Sequence, residues 1–220
     1  MAKQSWKPGN MLYPLPAVLV TCRDRDGQDN VLTIAWTGTV CSDPAMTYIS
    51  VRPERHSYRI IKETGEFVIN LTTKKLAKAA DFCGVRSGRD VDKFEAMHLT
   101  KEKAEVVNAP LIAESPVNIE CKVTEIKHLG SHDMFLAKVV AVHADEAYMD
   151  EKGRFSLTAA DPIAYSHGTY FTLGEDLGTF GYSVRKSQPV GKTSGKPAAK
   201  KTNKGVNPTE KQRTAKHKHM

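Results

Sequence analysis

Three segments between residues 30 and 94 decide the fold that this sequence predicts: NVLTIAWTG (30–38), YISVRPERHSYRIIKETGEFVINL (48–71) and CGVRSGRDVDKF (83–94). The first is an apolar strand whose backbone amides can face a flat ring. The second is a strand that ends at Arg52 and leads into a helix. The third is a loop of glycine, serine and arginine that closes at Lys93. Together they offer contacts to a phosphate and to a planar heterocycle.

Short apolar and β-branched runs predict strands elsewhere in the chain. They lie at 17–22, 31–36, 47–51, 67–71, 117–126 and 134–143. From Val117 to Val123 apolar and polar residues alternate strictly, which is typical of a half-buried antiparallel strand. An Asp-Gly pair within 24–30 predicts a hairpin between the first two strands.

The sequence also predicts two helices. The first spans about residues 54–63, with Pro53 suited to its first turn and Gly65 to its C-terminal cap. The second spans about residues 73–84, and its apolar face consists of Leu76, Ala79, Ala80 and Cys83. Many short strands with few helices favour a closed or nearly closed barrel. The predicted fold class is therefore mainly β with a few helices.

The positive charge of the chain is concentrated at its C-terminal end. The formal net charge is +7, but residues 183–220 hold 11 Lys/Arg against one acid, so the remaining residues are mildly acidic. Composition there shifts to Lys, Pro, Gly, Thr and Ala, which cannot bury enough apolar surface to offset the entropy of ordering. We expect a folded domain over 1–184 and a disordered basic tail over 185–220.

Composition also bears on location and partners. The N-terminus has no apolar signal segment, no run is long enough to cross a bilayer, and the four cysteines are widely spaced. These features predict a cytoplasmic protein without membrane contact. His128 and His132 have a spacing seen in metal sites, but Gly130 interrupts a helix between them and no third ligand suggests itself. The sequence therefore predicts no metal.

The segment 50–58 carries the strongest indication of a phosphate site. Ser50, Arg52, Arg55 and Ser57 cluster where a strand ends and a helix begins. Amides at a helix N-terminus attract anions, and arginine binds phosphate through two hydrogen bonds. Alternatively, this is a solvated charged loop in which Ser57 caps the helix, and the strand with Trp36 is plain core.

These motifs resemble those of the flavin reductase-like family, the FMN-binding split barrels that include the flavoredoxins. The resemblance covers roughly residues 10–182 and implies a split β-barrel topology. It rests on the strand at 33–36, on the strand–loop–helix at 50–58, and on C-G-x-x-S-G followed by D-K-F at 83–94. It implies FMN as cofactor, NAD(P)H as a candidate electron donor, and a homodimer.

The resemblance also implies which residues contact the flavin. The ring is expected against the strand 33–36 and its neighbour Thr37, and the phosphate at the strand–loop–helix and the Gly/Ser/Arg loop. The implied cofactor contacts are Thr33, Ala35, Trp36, Thr37, Ser50, Arg52, Arg55, Ser57, Tyr58, Ser87, Gly88 and Lys93. No catalytic acid or base is implied, because flavin chemistry belongs to the cofactor.

Two later segments bear on the electron donor and on the ring. Related flavin reductases carry a Gly-Asp-His motif for nicotinamide where this chain has Gly130, Ser131 and His132. The missing acid weighs against direct NAD(P)H use, so His132 is either a nicotinamide contact or an ordinary turn histidine. In the C-terminal segment 163–180, the resemblance implies that His167 or Tyr170 lies near the flavin ring. The alternative is that these residues only pack as ordinary aromatic side chains.

The leading functional hypothesis is a flavin-dependent oxidoreductase or electron carrier. It takes electrons from NAD(P)H or a reduced carrier and passes them to a small acceptor or a redox partner protein. The alternative is a non-enzymatic binding protein with the barrel as scaffold. In that case the basic tail contacts nucleic acid or acidic proteins through non-specific, salt-sensitive electrostatics. Under the leading hypothesis, nucleic acid is not a predicted partner, except through non-specific contacts of the basic tail.

Overall fold

The computed structural model describes residues 1–185, and the chain divides into two compact units, Met1–Glu175 and Asp176–Met220. The predicted disordered tail, 185–220, lies outside the described residues except for Arg185. In the second unit, the described part holds one 3-10 turn at Tyr182–Val184. Among the described residues, no helix has the length and apolar character needed to cross a membrane.

The first unit is mainly β, as predicted. Its strands are β1 Leu15–Pro16, β2 Val18–Arg23, β3 Asp29–Ile34, β4 Thr37–Ser42, β5 Ala45–Val51, β6 Glu66–Leu71, β7 Lys101–Glu102, β8 Leu111–Ile112, β9 Val117–His128, β10 Asp133–Ala144, β11 Ile163–Ser166 and β12 Thr169–Thr172. Its helices are α1 His56–Thr64, α2 Ala77–Val85 and α3 Lys93–Met97, with 3-10 turns at Lys74–Leu76, Glu146–Tyr148 and Leu157–Ala160.

Seven strands form one antiparallel sheet in the order β3-β2-β6-β9-β10-β5-β4. The edge strands β3 and β4 are not hydrogen-bonded to each other, so this sheet of the described chain is open rather than closed. Of the two possibilities that the strand pattern left open, a closed or a nearly closed barrel, the closed one does not occur, and the split-barrel class implied by the resemblance is confirmed. The predicted hairpin joins β2 to β3, and Gly27 (φ 84°) supplies the left-handed residue of its turn.

Helix α1 packs against the inner face of this sheet. Ile60 and Ile61 join a core cluster that includes Val20, Phe67 and Phe135. The helix begins two residues later than predicted, because Arg55 is still extended (φ −69°, ψ 139°). Gly65 adopts φ 69° and caps the C-terminus, as predicted. The start of α1 therefore lies just beyond the end of β5.

Helices α2 and α3 cover the other face of β2 and β3. Leu19 and Val31 from the strands pack there with Leu76, Cys83 and Phe94. Asp92 caps α3 by accepting hydrogen bonds from the amides of residues 94 and 95. The Gly/Ser/Arg loop between α2 and α3 is thus held beside β3.

Strand β9 departs from the predicted half-buried pattern. Glu120, expected on the solvent face, is fully buried, and Asn118 is buried as well. The Glu120 carboxylate accepts hydrogen bonds from the amides of residues 105, 106 and 107, and it lies 2.6 Å from His143 Nε2. Residues 105–107, which precede β8, therefore cover this face of β9, and the buried Glu120 carboxylate accepts the hydrogen bonds of their amides.

Candidate functional site

Two joined cavities lie where β3, β5, α1 and the α2–α3 loop meet. The smaller, which we call the basic cavity, has a volume of about 430 Å³. The larger, which we call the aromatic cleft, has a volume of about 1250 Å³. Both are lined by Leu32, Thr33, Arg52, Arg55 and Gly84. The shared wall makes them two ends of one groove.

The basic cavity has a strongly positive wall. Within residues 1–185, the only acid that lines it is Glu54, and the cations that line it are Arg52, Arg55, Arg86, Arg89 and Lys93. His56 and Ser57, the first two residues of α1, also line it, so the positive end of the helix dipole contributes. Such a wall suits an anion with several acceptor oxygens, such as a phosphate.

Lys93 lies at the inner end of the basic cavity and is only 4% exposed. Its Nζ donates to the carbonyl oxygens of Val31 (2.7 Å) and Cys83 (3.0 Å). An ammonium has three N–H donors, so one remains for a ligand. Burial, and to a smaller degree repulsion from Arg55, lowers the pKa of Lys93. An anion in the cavity would offset both effects.

The α2–α3 loop approaches β3 so closely at Gly88 that no side chain fits. A Cβ atom there would lie 2.1 Å from Asn30 Oδ1. The Asn30 amide in turn donates to Ser57 Oγ at 2.6 Å, and both residues are buried. The Asn30 side chain thus joins the hairpin β2–β3 to the start of α1 by a hydrogen bond and to the loop by close packing. These contacts fix the shape of the cavity wall.

The aromatic cleft begins where β3 ends. Ala35 and Trp36 line it, and the Ser50 amide donates to the Trp36 carbonyl at 2.8 Å, which joins this turn to β5. Further lining comes from apolar and aromatic side chains of distant segments. They include Leu12, Ile34, Tyr48, Val85, Leu129, Met134, Tyr165 and Tyr170.

Aromatic rings follow one another along this cleft. The ring centroid of Trp36 lies 6.5 Å from that of His132, which also lines the cleft, and 6.5 Å from that of Tyr13, which lies beside it. Tyr165 lies 6.3 Å from Tyr13 and 5.6 Å from Tyr170. Burial, and to a smaller degree Arg52, lowers the pKa of His132. A planar ring with few charges suits this environment.

Most of the residues predicted from the sequence line one of the two cavities. The basic cavity holds Ser57, Ser87, Gly88 and Lys93; the aromatic cleft holds Ala35, Trp36, Ser50 and His132; both hold Thr33, Arg52 and Arg55. Segments that lie far apart in the chain therefore meet in one groove.

Thr37 and Tyr58 line neither cavity. The buried Thr37 hydroxyl donates to the Tyr48 carbonyl at 2.5 Å, within the β4–β5 pair. The Tyr58 hydroxyl donates to Asp133 Oδ2 at 2.5 Å, because this side of α1 faces β10. Asp133 also pairs with His128 at 2.9 Å, so Tyr58 helps to hold the β9–β10 hairpin.

Sequence reasoning missed several residues that line the groove. Arg86 and Arg89 flank the Ser-Gly pair of the α2–α3 loop, and their charge in that loop was a usable signal. Asn30 carried no signal, because it resembles a turn residue until its contact with Gly88 is known. Of the two aromatic candidates near the C-terminus, Tyr170 lines the cleft, whereas His167 packs on Tyr13 at 4.2 Å.

The family model described as "Flavin reductase like domain" matches residues 11–174. Among solved structures, flavoredoxin of Desulfovibrio vulgaris (Miyazaki F) is 31% identical with a TM-score of 0.78, covering 84% of this chain and 100% of its own. Flavoredoxin from Methanosarcina acetivorans is 26% identical with a TM-score of 0.74, covering 83% and 100%.

A sequence relative carries no assigned activity. It is an uncharacterized protein of Aeropyrum pernix, 31% identical over 156 residues, which are 70% of this chain and 58% of that protein. The chain therefore spans little more than half the length of this archaeal protein.

Proposed function

The chain belongs to the flavin reductase-like domain family, and on this premise we propose that it is an FMN-binding oxidoreductase or electron carrier. One observation carries the proposal: the groove is positively charged at one end and aromatic at the other. FMN has the same division, with a phosphate at one end and a flat ring at the other. The two flavoredoxin structures support the assignment by their fold and sequence.

The donor set of the basic cavity fits the FMN phosphate. Lys93 offers one free N–H, Arg55 adds a guanidinium, and the first amides of α1 lie at the wall. In the proposal these groups hold the phosphate, and the Asn30–Gly88 contact keeps the loop in place around it. Ser57 contributes through its position beside Asn30.

The aromatic cleft supplies the place for the ring. Ala35, Trp36 and Ser50 would form the wall against which the isoalloxazine is held, and apolar side chains line much of the rest of the cleft. When bound, FMN would supply hydride and single-electron transfer. His132 also lines the cleft, with its ring 6.5 Å from that of Trp36, and is the candidate contact for a nicotinamide or another small electron donor.

The first test is the visible absorption spectrum of the purified chain, followed by titration with FMN. A yellow protein that releases one FMN per chain, or a colourless protein that binds FMN reversibly, supports the proposal. A colourless protein that does not bind added FMN contradicts it. Binding is measured with the full chain by quenching of flavin fluorescence.

Steady-state kinetics then separate the two versions of the proposal. A reductase oxidises NAD(P)H with excess free FMN as its second substrate, whereas a carrier keeps its FMN and needs a redox partner protein. Oxidation of NAD(P)H that rises with free FMN supports the reductase. Negligible turnover with tightly bound FMN supports the carrier.

We also propose a homodimer in the cytoplasm, with the domain spanning 1–184 and the basic tail 185–220. Support for the dimer comes from exposed apolar side chains at the rim of the cleft, namely Met11, Leu12, Val85 and Leu129. The cytoplasmic location is supported by the four cysteines, all of which are free. Light scattering during size-exclusion chromatography tests the dimer, and a monomeric mass contradicts it.

A further inference from the structure

The basic cavity carries more positive charge than one phosphate neutralises. Its five cations face a single acid among the described residues, Glu54, which leaves a net charge of four on the wall. A phosphate monoester carries about −1.5 to −2 at pH 7. Roughly half of the positive charge is therefore left over when one such group is bound. Repulsion from Arg89 and Lys93 already adds to burial in lowering the pKa of His56.

The cations lie at two depths. Lys93, with Asn30 and Ser57, is buried at the inner end of the cavity. The four arginines of the wall are all exposed, and of these Arg86 and Arg89 are the two carried by the α2–α3 loop, at the outer end. Inner and outer charges therefore serve different parts of the bound molecules.

The two outer arginines are available to a ligand. Within residues 1–185, the guanidinium of Arg86 makes no ion pair or hydrogen bond, and that of Arg89 makes one long contact, to the Glu54 carbonyl at 3.5 Å. Arg52, by comparison, is paired with Glu54 at 3.4 Å. The Arg55 guanidinium likewise makes no ion pair or hydrogen bond among these residues, but the proposed function assigns it to the FMN phosphate, so Arg86 and Arg89 are left for a second ligand.

The backbone that carries these arginines is fixed. The Arg86 amide donates to the Phe82 carbonyl at 2.9 Å, at the end of α2. The Arg89 amide donates to Ser87 Oγ at 3.2 Å, and Gly88 between them packs on Asn30. Two guanidinium groups on one short, anchored loop can bind a phosphate through paired hydrogen bonds, which lysine cannot do.

We propose that Arg86 and Arg89 form an outer anion subsite, which binds the phosphate monoester of a second ligand while FMN occupies the inner end. This inference rests on the proposed function and deepens it. The 2′-phosphate of NADPH is one source of such a group, and it makes the chain select NADPH over NADH. The other source is a different phosphorylated small molecule that binds beside the flavin.

The test measures binding rather than turnover, with the full chain first saturated with FMN. NADP⁺ and NAD⁺ are titrated by isothermal calorimetry at low ionic strength, and inorganic phosphate is added as a competitor. We expect NADP⁺ to bind about tenfold or more tightly than NAD⁺, with a preference that weakens as salt is added. Arg86→Ala and Arg89→Ala should each reduce the preference. Arg59→Ala, whose side chain is 75% exposed and lines neither cavity, should retain it.

The outcomes separate the possibilities. Equal binding of NADP⁺ and NAD⁺, together with phosphate binding that is the same in the Arg86 and Arg89 variants, overturns the subsite. If NADP⁺ and NAD⁺ bind equally but phosphate binding is lost in the Arg86 and Arg89 variants, the subsite is supported. Its ligand is then another phosphorylated molecule. Failure of FMN to bind in the loading step contradicts the proposed function, and the phosphate titration then judges the subsite on the flavin-free chain.

Discussion

The basic cavity and the aromatic cleft are adjacent, but the chain builds them differently. The cavity wall comes from β3, the start of α1 and one loop, and its inner polar groups are buried and already hydrogen-bonded to protein. The cleft draws its wall from segments that range from residue 9 to residue 170, and many of its side chains are exposed. One end of the groove is thus shaped in advance, and the other remains open.

This difference suggests a division of labour between the two ends. A rigid, charged cavity recognises a constant group, here proposed to be the FMN phosphate, with little loss of conformational entropy on binding. An open cleft with several aromatic rings accommodates the flavin together with a second molecule. If so, changes in the cavity should affect ligands that carry a phosphate, and changes in the cleft should affect every flavin.

The largest effect is expected at Lys93. Lys93→Met keeps the buried stem but removes the charge, and it should weaken FMN binding by about 1.5–3 kcal/mol. Riboflavin, which has the same ring without the phosphate, should bind equally well to both proteins. Fluorescence titration with the two flavins measures the difference. Equal losses for FMN and riboflavin would place the phosphate elsewhere.

Gly88→Ala tests the fixed shape of the cavity. The added Cβ would lie 2.1 Å from Asn30 Oδ1, so the loop or the asparagine must move. Overpacking of this kind costs about 1–3 kcal/mol. We expect it to weaken FMN binding and to lower the temperature of thermal unfolding. Gly174→Ala is the matched control, because in the described part of the chain no atom of a residue other than its two neighbours lies within 4 Å of the added Cβ. Unchanged FMN affinity in Gly88→Ala would show that the loop does not shape the site.

Tyr58→Phe separates stability from binding. The lost hydroxyl leaves the buried Asp133 with His128 as its remaining side-chain partner, so the free energy of unfolding should fall by about 1.5 kcal/mol. Because Tyr58 lines neither cavity, FMN affinity should not change. Chemical denaturation and flavin titration measure the two quantities. A loss of FMN affinity without a loss of stability would instead support the prediction that Tyr58 contacts the flavin.

The same variant changes the response to acid. The hydrogen bond from Tyr58, with a smaller contribution from His128, lowers the pKa of Asp133. Its carboxylate therefore stabilises the fold at pH values above the ordinary aspartate pKa, and this stability is lost as pH falls through the lowered value. As pH falls from the ordinary aspartate pKa through the lowered pKa of Asp133, the Tyr58→Phe variant should lose less stability than the wild type. Thermal unfolding across this pH range measures the difference.

Trp36→Leu is expected to have a smaller effect, of a different kind. Removing the indole from the wall of the cleft should weaken FMN and riboflavin alike, by about 0.5–1.5 kcal/mol, because under the proposed function it would contact the ring rather than the phosphate. Trp6→Leu is the control, since Trp6 is exposed and lines neither cavity. A loss confined to FMN would contradict the placement of the ring in the cleft.

The smallest effect concerns the thiols. Burial raises the pKa of Cys22 to about 12, of Cys83 to about 11 and of Cys121 to about 12. Near neutral pH these groups stay protonated and shielded, so a thiol reagent should modify only Cys41 in the native chain and all four after unfolding. Rapid modification of Cys83, which lines the basic cavity, would show that the cavity wall opens in solution.

Local sequence predicted the elements whose side chains follow a regular pattern. The hairpin at 24–30, the cap at Gly65 and the strand pair β9–β10 appear as expected. Strand β4 was missed, since the sequence TGTVCS has too few apolar residues to mark a strand. Its position is decided instead by pairing with β5.

The incorrect predictions share a physical cause: the residue that a side chain contacts lies far away in the sequence, so the local pattern does not indicate it. Glu120 has the pattern of a solvent-facing residue, but amides of residues 105–107 enclose it. Tyr58 directly follows the residues 50–57 that predicted a phosphate site, but its hydroxyl points to Asp133, 75 residues later. Motifs therefore located the groove, whereas tertiary contacts decided which side chains face it.

The long-range bond of Lys93 has a consequence for biosynthesis. Its Nζ donates to the Val31 carbonyl, 62 residues earlier in the chain, so the hairpin is made long before its partner lysine exists. Because chains emerge from the ribosome N-terminus first, a nascent chain that ends before residue 93 cannot complete the inner end of the basic cavity. Under the proposed function, FMN can be held at this end only after about the first half of the domain has been made, so it cannot guide the folding of the first strands.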